Sequence, residues 1–213
     1  MIELRNYQIL SVEKLRENIL KGIKKQILCA PTGAGKTIMF SFMCKNAFDK
    51  GKKTLIITDR IELLTQAGGT LENFGLKPIE INSKKQLKTL NGVLYVGMAQ
   101  TISRRLALKE YQDFFKTIDL VIIDEAHKQT FNSLLEYLSE KCIVVGATAT
   151  PFREKNQKSL DDFYQSIVEV VKISTLINDG FLAKPQTFGV KINLDGIKIT
   201  KGDYDETQLA QRY

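Results

Sequence analysis

Several short stretches of this chain are apolar at consecutive positions rather than alternating ones: QILCA (26–30), TLIIT (54–58), GVLYV (92–96), DLVIID (119–124) and CIVVGAT (142–148). A strand with one wet face alternates, whereas a strand covered on both faces does not. These runs therefore predict strands of a parallel sheet. Between them the spacing changes. After Lys36, the residues Ile38, Met39, Phe42, Met43 and Phe48 recur at close to helical spacing, and Gly51 supplies a stop. Phe131, Leu134, Leu135 and Leu138 follow the i, i+3, i+4, i+7 pattern. Strands alternating with helices form βαβ units. The expected fold is α/β, a doubly wound and mainly parallel sheet with helices on both faces.

Beyond the last run the pattern thins. Residues 151–166 (PFREKNQKSLDDFYQS) are polar and read as a surface loop. A strand near 168–172, a helix near 174–178 and a strand near 186–194 follow, with Asp179-Gly180 as a turn. Asp205 with Gln208 three residues on has the form of a helix start close to the final Tyr213. The expectation is one domain over 1–195, with 196–213 opening a linker or helix toward something further.

Composition narrows the class. The chain has 213 residues, 43% of them hydrophobic and 26% charged, which suits one sizeable core. No apolar run approaches the length of a bilayer span, and MIELRNYQIL lacks the features of a secretory signal. The expected location is the cytoplasm, with no membrane partner. Cys29, Cys44 and Cys142 lack C-x-x-C spacing and only one histidine accompanies them, so a structural zinc site is not expected. The net charge of +7 permits a nucleic-acid partner, and positive charge gathers at Lys84, Lys85 and Lys88 and at Arg104 and Arg105.

Residues 30–37, APTGAGKT, follow a predicted strand and precede a predicted helix. That context and the Gly35-Lys36-Thr37 ending fit a phosphate-binding loop, with Ala30 in the place of the usual first glycine. Gly33 and Gly35 allow the sharp turn that points successive N–H groups into one concavity, and the helix start adds partial positive charge. Pro31, Thr32, Gly33, Ala34 and Gly35 would form the cradle. Lys36 would reach the β- and γ-phosphates of ATP, and Thr37 would offer its hydroxyl to Mg²⁺. Asp124 and Glu125 stand at the carboxyl end of a predicted strand, where sheets of this kind bind their ligands. Asp124 is a hard oxygen ligand for the same Mg²⁺. Glu125 could orient or deprotonate the attacking water, and His127 could link the nucleotide to the loop of the next strand.

APTGAGKT, IIDEAH (122–127) and GATATP (146–151), taken in order, resemble the motifs of superfamily 2 helicases and translocases of the DEAH-box type. LRNYQ (4–8) resembles the adenine-recognition element of that family, and TDRIELLTQ (58–66) and VGMAQTISRR (96–105) resemble two nucleic-acid-contacting segments. The nearest-looking branch joins restriction-enzyme translocating subunits, RadD-like proteins and XPB-like DNA helicases. The resemblance implies a RecA-like phosphate-loop domain. It implies Gln8, assisted by Arg5, at the adenine edge. It implies Arg60, Gln66, Gln100 and Thr101 near a nucleic-acid backbone, DNA or alternatively RNA. It implies His127, Thr148 and Thr150 as residues coupling hydrolysis to movement. Family members carry a second RecA-like domain that supplies arginines to the γ-phosphate, so a partner domain is expected C-terminal to this chain, and the chain alone is expected to turn ATP over poorly. Two other readings share these motifs. One is a non-catalytic nucleic-acid-binding or regulatory module that retains the site. The other is a phosphate-loop ATPase with a partner other than nucleic acid.

Overall fold

The computed structural model describes residues 3–59, 69–81, 92–128, 132–151, 160–186, 199–200 and 203–204. They divide into two compact units, 1–182 and 183–213. In the first, helix α1 (Asn6–Leu20) leads into β1 (Lys25–Cys29), and α2 (Lys36–Phe48) into β2 (Thr54–Thr58). Then come β3 (Ile79–Ile81), β4 (Leu94–Met98), α3 (Ala99–Arg105), α4 (Lys109–Lys116) and β5 (Leu120–Ile123). The single turn α5 (Asn132–Leu135), β6 (Ile143–Thr148), β7 (Ser166–Glu169) and α6 (Ile173–Asn178) complete it. In the second unit, β8 (Ile199–Thr200) and β9 (Asp203–Tyr204) pair as an antiparallel ribbon.

The sheet of the first unit has seven strands in the order β3-β4-β2-β5-β6-β1-β7, every pairing parallel. Its central strands are buried on both faces, as their unbroken apolar runs require. Along β5, Val121 and Ile123 enter one core cluster with Tyr111 and Phe115 of α4, and Leu120 and Ile122 enter the other with Met39 and Phe40 of α2. Strand alternation thus feeds two cores, one for each layer of helices. All strands being parallel, their carboxyl ends share one edge. That edge carries the loops at residues 30, 59, 99, 124 and 149.

Some expectations shift. The helical pattern of Phe131, Leu134, Leu135 and Leu138 reaches only one turn, α5, among the described residues, although Leu134 and Leu135 are buried. Phe48 stays 42% exposed, and the buried stripe of α2 runs instead through Met39, Phe40, Met43 and Cys44. In the polar segment 151–166, residues 152–159 lie outside the described set, but Leu160 and Tyr164 are buried in the core rather than on a surface loop. The strand expected at 186–194 and the helix start at Asp205 also lie outside it. The turn at Gly180 is present, with φ 74°.

Packing at the site edge is tight around Gly146 of β6. A Cβ there would meet the Ala126 methyl at 2.6 Å and the Tyr164 hydroxyl at 2.8 Å. Gly146→Ala is expected to cost about 1–3 kcal/mol of folding stability, the usual penalty of overpacking. Denaturant titration measures it, and a second change, Ala126→Gly, should recover part of the loss. An unchanged midpoint would contradict the packing described.

Candidate nucleotide site

β1 ends at Cys29 and α2 begins at Lys36, so the phosphate-loop candidate is the strand–helix connection itself. Gly33 and Gly35 both take left-handed backbone, φ 83° and 77°. Side chains would also be excluded by neighbours, since a Cβ at Gly33 would lie 2.7 Å from Leu182 Cδ2 and one at Gly35 2.5 Å from Gln8 Nε2. Both glycines are therefore required twice over, by dihedral and by space. The Tyr7 hydroxyl and Gln8 Nε2 each donate to the Ala34 carbonyl at 3.0 Å. Lys36 Nζ folds back to donate to the carbonyls of Ala30 (3.1 Å) and Pro31 (3.3 Å). This is a concavity with helix-start N–H groups at its floor and an ammonium at its mouth, which fits a polyphosphate.

The residues expected at the base are held differently from one another. Gln8 Oε1 accepts from the Arg5 N–H at 2.9 Å while its amide nitrogen holds the loop. Each end of that amide keeps capacity for one further bond, although the side chain is only 2% exposed. The Arg5 guanidinium lies 4.2 Å from the Phe181 ring centroid and donates to the Tyr7 hydroxyl at 3.3 Å. The LRNYQ stretch drew attention to Arg5 and Gln8 alone; Tyr7 is the brace it concealed.

The carboxylates occupy a turn after β5. The strands that carry the two loops are not adjacent: β6 lies between β1 and β5. The loops still converge. The Asp124 carboxyl is pushed above the usual range by burial and by the adjacent Glu125, with Asp59 adding to the push, while the Glu125 N–H and the Lys36 ammonium pull it back. The charge of the loop lysine thus reaches the acidic turn. A cation at Asp124 would offset the same unfavourable burial, and the hard oxygen donor suits Mg²⁺. Glu125 has φ 53°, the one positive φ among the described non-glycine residues. Such backbone costs a residue with a Cβ about 1–2 kcal/mol and marks a turn held by its surroundings.

β6 connects the two loops. The Ala30 N–H donates to the Thr148 carbonyl at 3.0 Å, and the Ala126 N–H donates to the Ala147 carbonyl at 2.8 Å. His127 Nδ1 is 2.9 Å from Thr148 Oγ1 and 3.4 Å from Glu125 Oε2. Thr148 Oγ1 donates to the Thr150 carbonyl (2.9 Å) and accepts from the Thr150 N–H (3.0 Å). A hydroxyl can both donate and accept, so Thr148 Oγ1 can pair with His127 Nδ1 in either imidazole tautomer. Glu125, His127, Thr148 and Thr150 form a continuous polar chain. Beside it a cleft of about 590 Å³, within the usual span of ligand pockets, is lined by Pro31, Thr32, Thr150, Glu169 and Lys172 among others.

Of the residues expected at nucleic acid, Arg60 and Gln66 lie outside the described set, as do Lys84, Lys85 and Lys88. Gln100 is exposed and Thr101 half-buried on α3, which starts at the carboxyl end of β4 and so belongs to the same sheet edge. Thr101 lines a smaller cleft with Arg104 and Arg105.

Residues 1–153 match the family described as type III restriction enzyme, res subunit. The chain belongs to this family. IRC3 of Saccharomyces cerevisiae, whose name carries the words ATP-dependent helicase, is 30% identical over 224 residues, covering 97% of this chain and 32% of that protein. The type I restriction enzyme EcoAI endonuclease subunit of Escherichia coli is 29% identical, covering 94% of this chain and 26% of its own length. The chain therefore spans between a quarter and a third of the length of these curated relatives. Among solved structures, the type ISP restriction-modification enzyme LlaGI in complex with a DNA substrate mimic superposes with a TM-score of 0.66 at 20% identity, over 84% of this chain and 21% of that one. The UvsW helicase of bacteriophage T4 gives 0.63 at 20% identity. The shared fold is the RecA-like fold of these helicases. Among the described residues no helix is long and apolar enough to cross a membrane.

Proposed function

We propose that this chain is the N-terminal ATP-binding motor domain of an ATP-dependent helicase or translocase that acts on DNA. The observation that carries the reading is the convergence, at one sheet edge, of the glycine loop, the acidic turn and the His127–Thr148–Thr150 chain between them. Lys36 binds the β- and γ-phosphates when it releases the carbonyls of Ala30 and Pro31. Thr37 and Asp124 would hold Mg²⁺, which would supply charge neutralisation on the phosphates. Glu125 orients and accepts a proton from the attacking water. Arg5 and Gln8 face the base. His127 senses Glu125 and passes its state through Thr148 to Thr150, the residue that opens the cleft. A non-catalytic module has no use for that connection.

DNA is the partner by kinship, since the relatives include a restriction-enzyme subunit and the LlaGI structure holds a DNA substrate mimic. Gln100 and Thr101 would contact its backbone. A second RecA-like domain, facing the cleft, would complete the site, and an intracellular location follows from the substrate. The test is duplex DNA binding at rising salt, with and without Mg²⁺-ATP. Log affinity is expected to fall linearly with log salt at a slope of about −0.9 per phosphate contacted, and added DNA is expected to raise ATP turnover. A flat salt response with turnover indifferent to DNA would overturn the DNA reading.

A further inference from the structure

The acidic turn is clamped from two sides. Toward β6 it is held by Ala126 and His127, as described. Toward β2 it is held by the Asp124 N–H, which donates to the Ile57 carbonyl at 2.9 Å, and by an ion pair from Lys128 Nζ to Asp59 Oδ2. Asp59 is the residue immediately after β2, and the pair bridges the tips of β2 and β5 across 69 positions of sequence. Its side chains are 16% (Asp59) and 33% (Lys128) exposed, against 52% and 56% for the surface pair Lys14–Glu17. Burial limits solvent screening, and loss of either partner strands a mostly buried charge. Asp59 Oδ1 is buried without a hydrogen-bond partner, so among the described residues Lys128 is what holds this carboxylate.

We propose that Asp59 and Lys128 are a positioning pair for the hydrolytic turn: together they anchor its far end against β2 and so fix the direction from which Glu125 addresses the attacking water. The inference rests on the ATPase reading above. Neither side chain is assigned to the nucleotide. Their action runs through the backbone, because the Lys128 N–H donates to the Glu125 carbonyl at 3.0 Å and closes the turn that keeps Glu125 left-handed. A residue with a Cβ leaves that region when its turn is free to relax. The phosphate cradle is built from other contacts, those of Tyr7, Gln8 and Leu182. Loss of the pair therefore moves the base and spares the grip on phosphate.

The experiment compares Lys128→Met, Lys128→Arg, the single reversals Asp59→Lys and Lys128→Asp, and the reversed pair Asp59→Lys/Lys128→Asp in the full protein. Lys128→Met is expected to lower kcat for ATP about tenfold with KM nearly unchanged, the signature of a supporting contact that misplaces a reacting group. Lys128→Arg should retain most of kcat, and the reversed pair should exceed either reversed single variant. Hydrogen exchange gives an activity-free readout. The Ala126 and Lys128 amides should exchange about tenfold faster in Lys128→Met, with the Met39 amide of α2 unaffected. Unchanged kcat, a loss that arginine fails to rescue, or unchanged exchange at 126 and 128 would each overturn the proposal. Wild-type protein that hydrolyses no ATP would instead defeat the ATPase reading, and the exchange measurement would still decide whether the pair anchors the turn.

Discussion

Glu125→Gln is expected to lower ATP turnover about a thousandfold while leaving affinity for Mg²⁺-ATP close to that of the wild type, the scale of loss usual for a positioned base. The substitution is isosteric, so the left-handed turn and the approach to His127 at 3.4 Å are preserved. What disappears is the acceptor for the water's proton. Ground-state binding should not suffer, because Glu125 is one of the charges that push Asp124 toward protonation. Removing it makes Asp124 a readier anion and favours a cation there. Single-turnover hydrolysis beside equilibrium binding of a fluorescent ATP analogue separates the two effects. Turnover that survives in the glutamine variant would remove Glu125 from the chemistry and bring forward the non-catalytic reading.

Lys36→Met is expected to act on the other side of that division, weakening ATP binding about a hundredfold or more, equivalent to about 2.7 kcal/mol. The methionine fills similar space but leaves the β- and γ-phosphates without their ammonium. Fold stability should change little, since Lys36 contributes two part-buried contacts, to the carbonyls of Ala30 and Pro31, while Tyr7 and Gln8 hold the loop independently. Calorimetric titration with Mg²⁺-ATP measures the affinity, and a thermal melt checks the fold. Affinity equal to the wild type would mean that the glycine loop is not the phosphate site.

The strands were the most readable part of the sequence because burial on both faces leaves a continuous apolar signature, and β2 lies where TLIIT predicted it. Helix α1 gave no such signature. Its buried positions include Gln8, Ser11 and Asn18, whereas Ile9, Leu10 and Leu20 face solvent, so hydrophobic periodicity misrepresents the face that packs. Polar burial is justified only by partners elsewhere: Gln8 on the loop, and Asn18 on Gln26 at 2.8 Å. The three residues of β3 are too few to show a period. The phosphate loop and the acidic turn were legible because local chemistry dictates them. The place of β6 between them was not, because order in a sheet is set by crossovers and not by neighbours in the chain. Asp59 and Lys128 escaped for a related reason: each is an ordinary charged residue until the fold joins β2 to β5.

Consecutive carbonyls of a strand point in opposite directions, and the last two of β6, on Ala147 and Thr148, are taken by the turn bearing Glu125 and by the loop bearing Lys36. The acidic turn and the glycine loop are thereby tied to the two consecutive peptide units that flank Thr148. A shift of β6 at Thr148 is therefore felt by both loops, and on the ATPase reading proposed above it couples phosphate grip to water activation through one residue. The Thr148 side chain, 2.9 Å from His127 Nδ1, brings the histidine to the same junction.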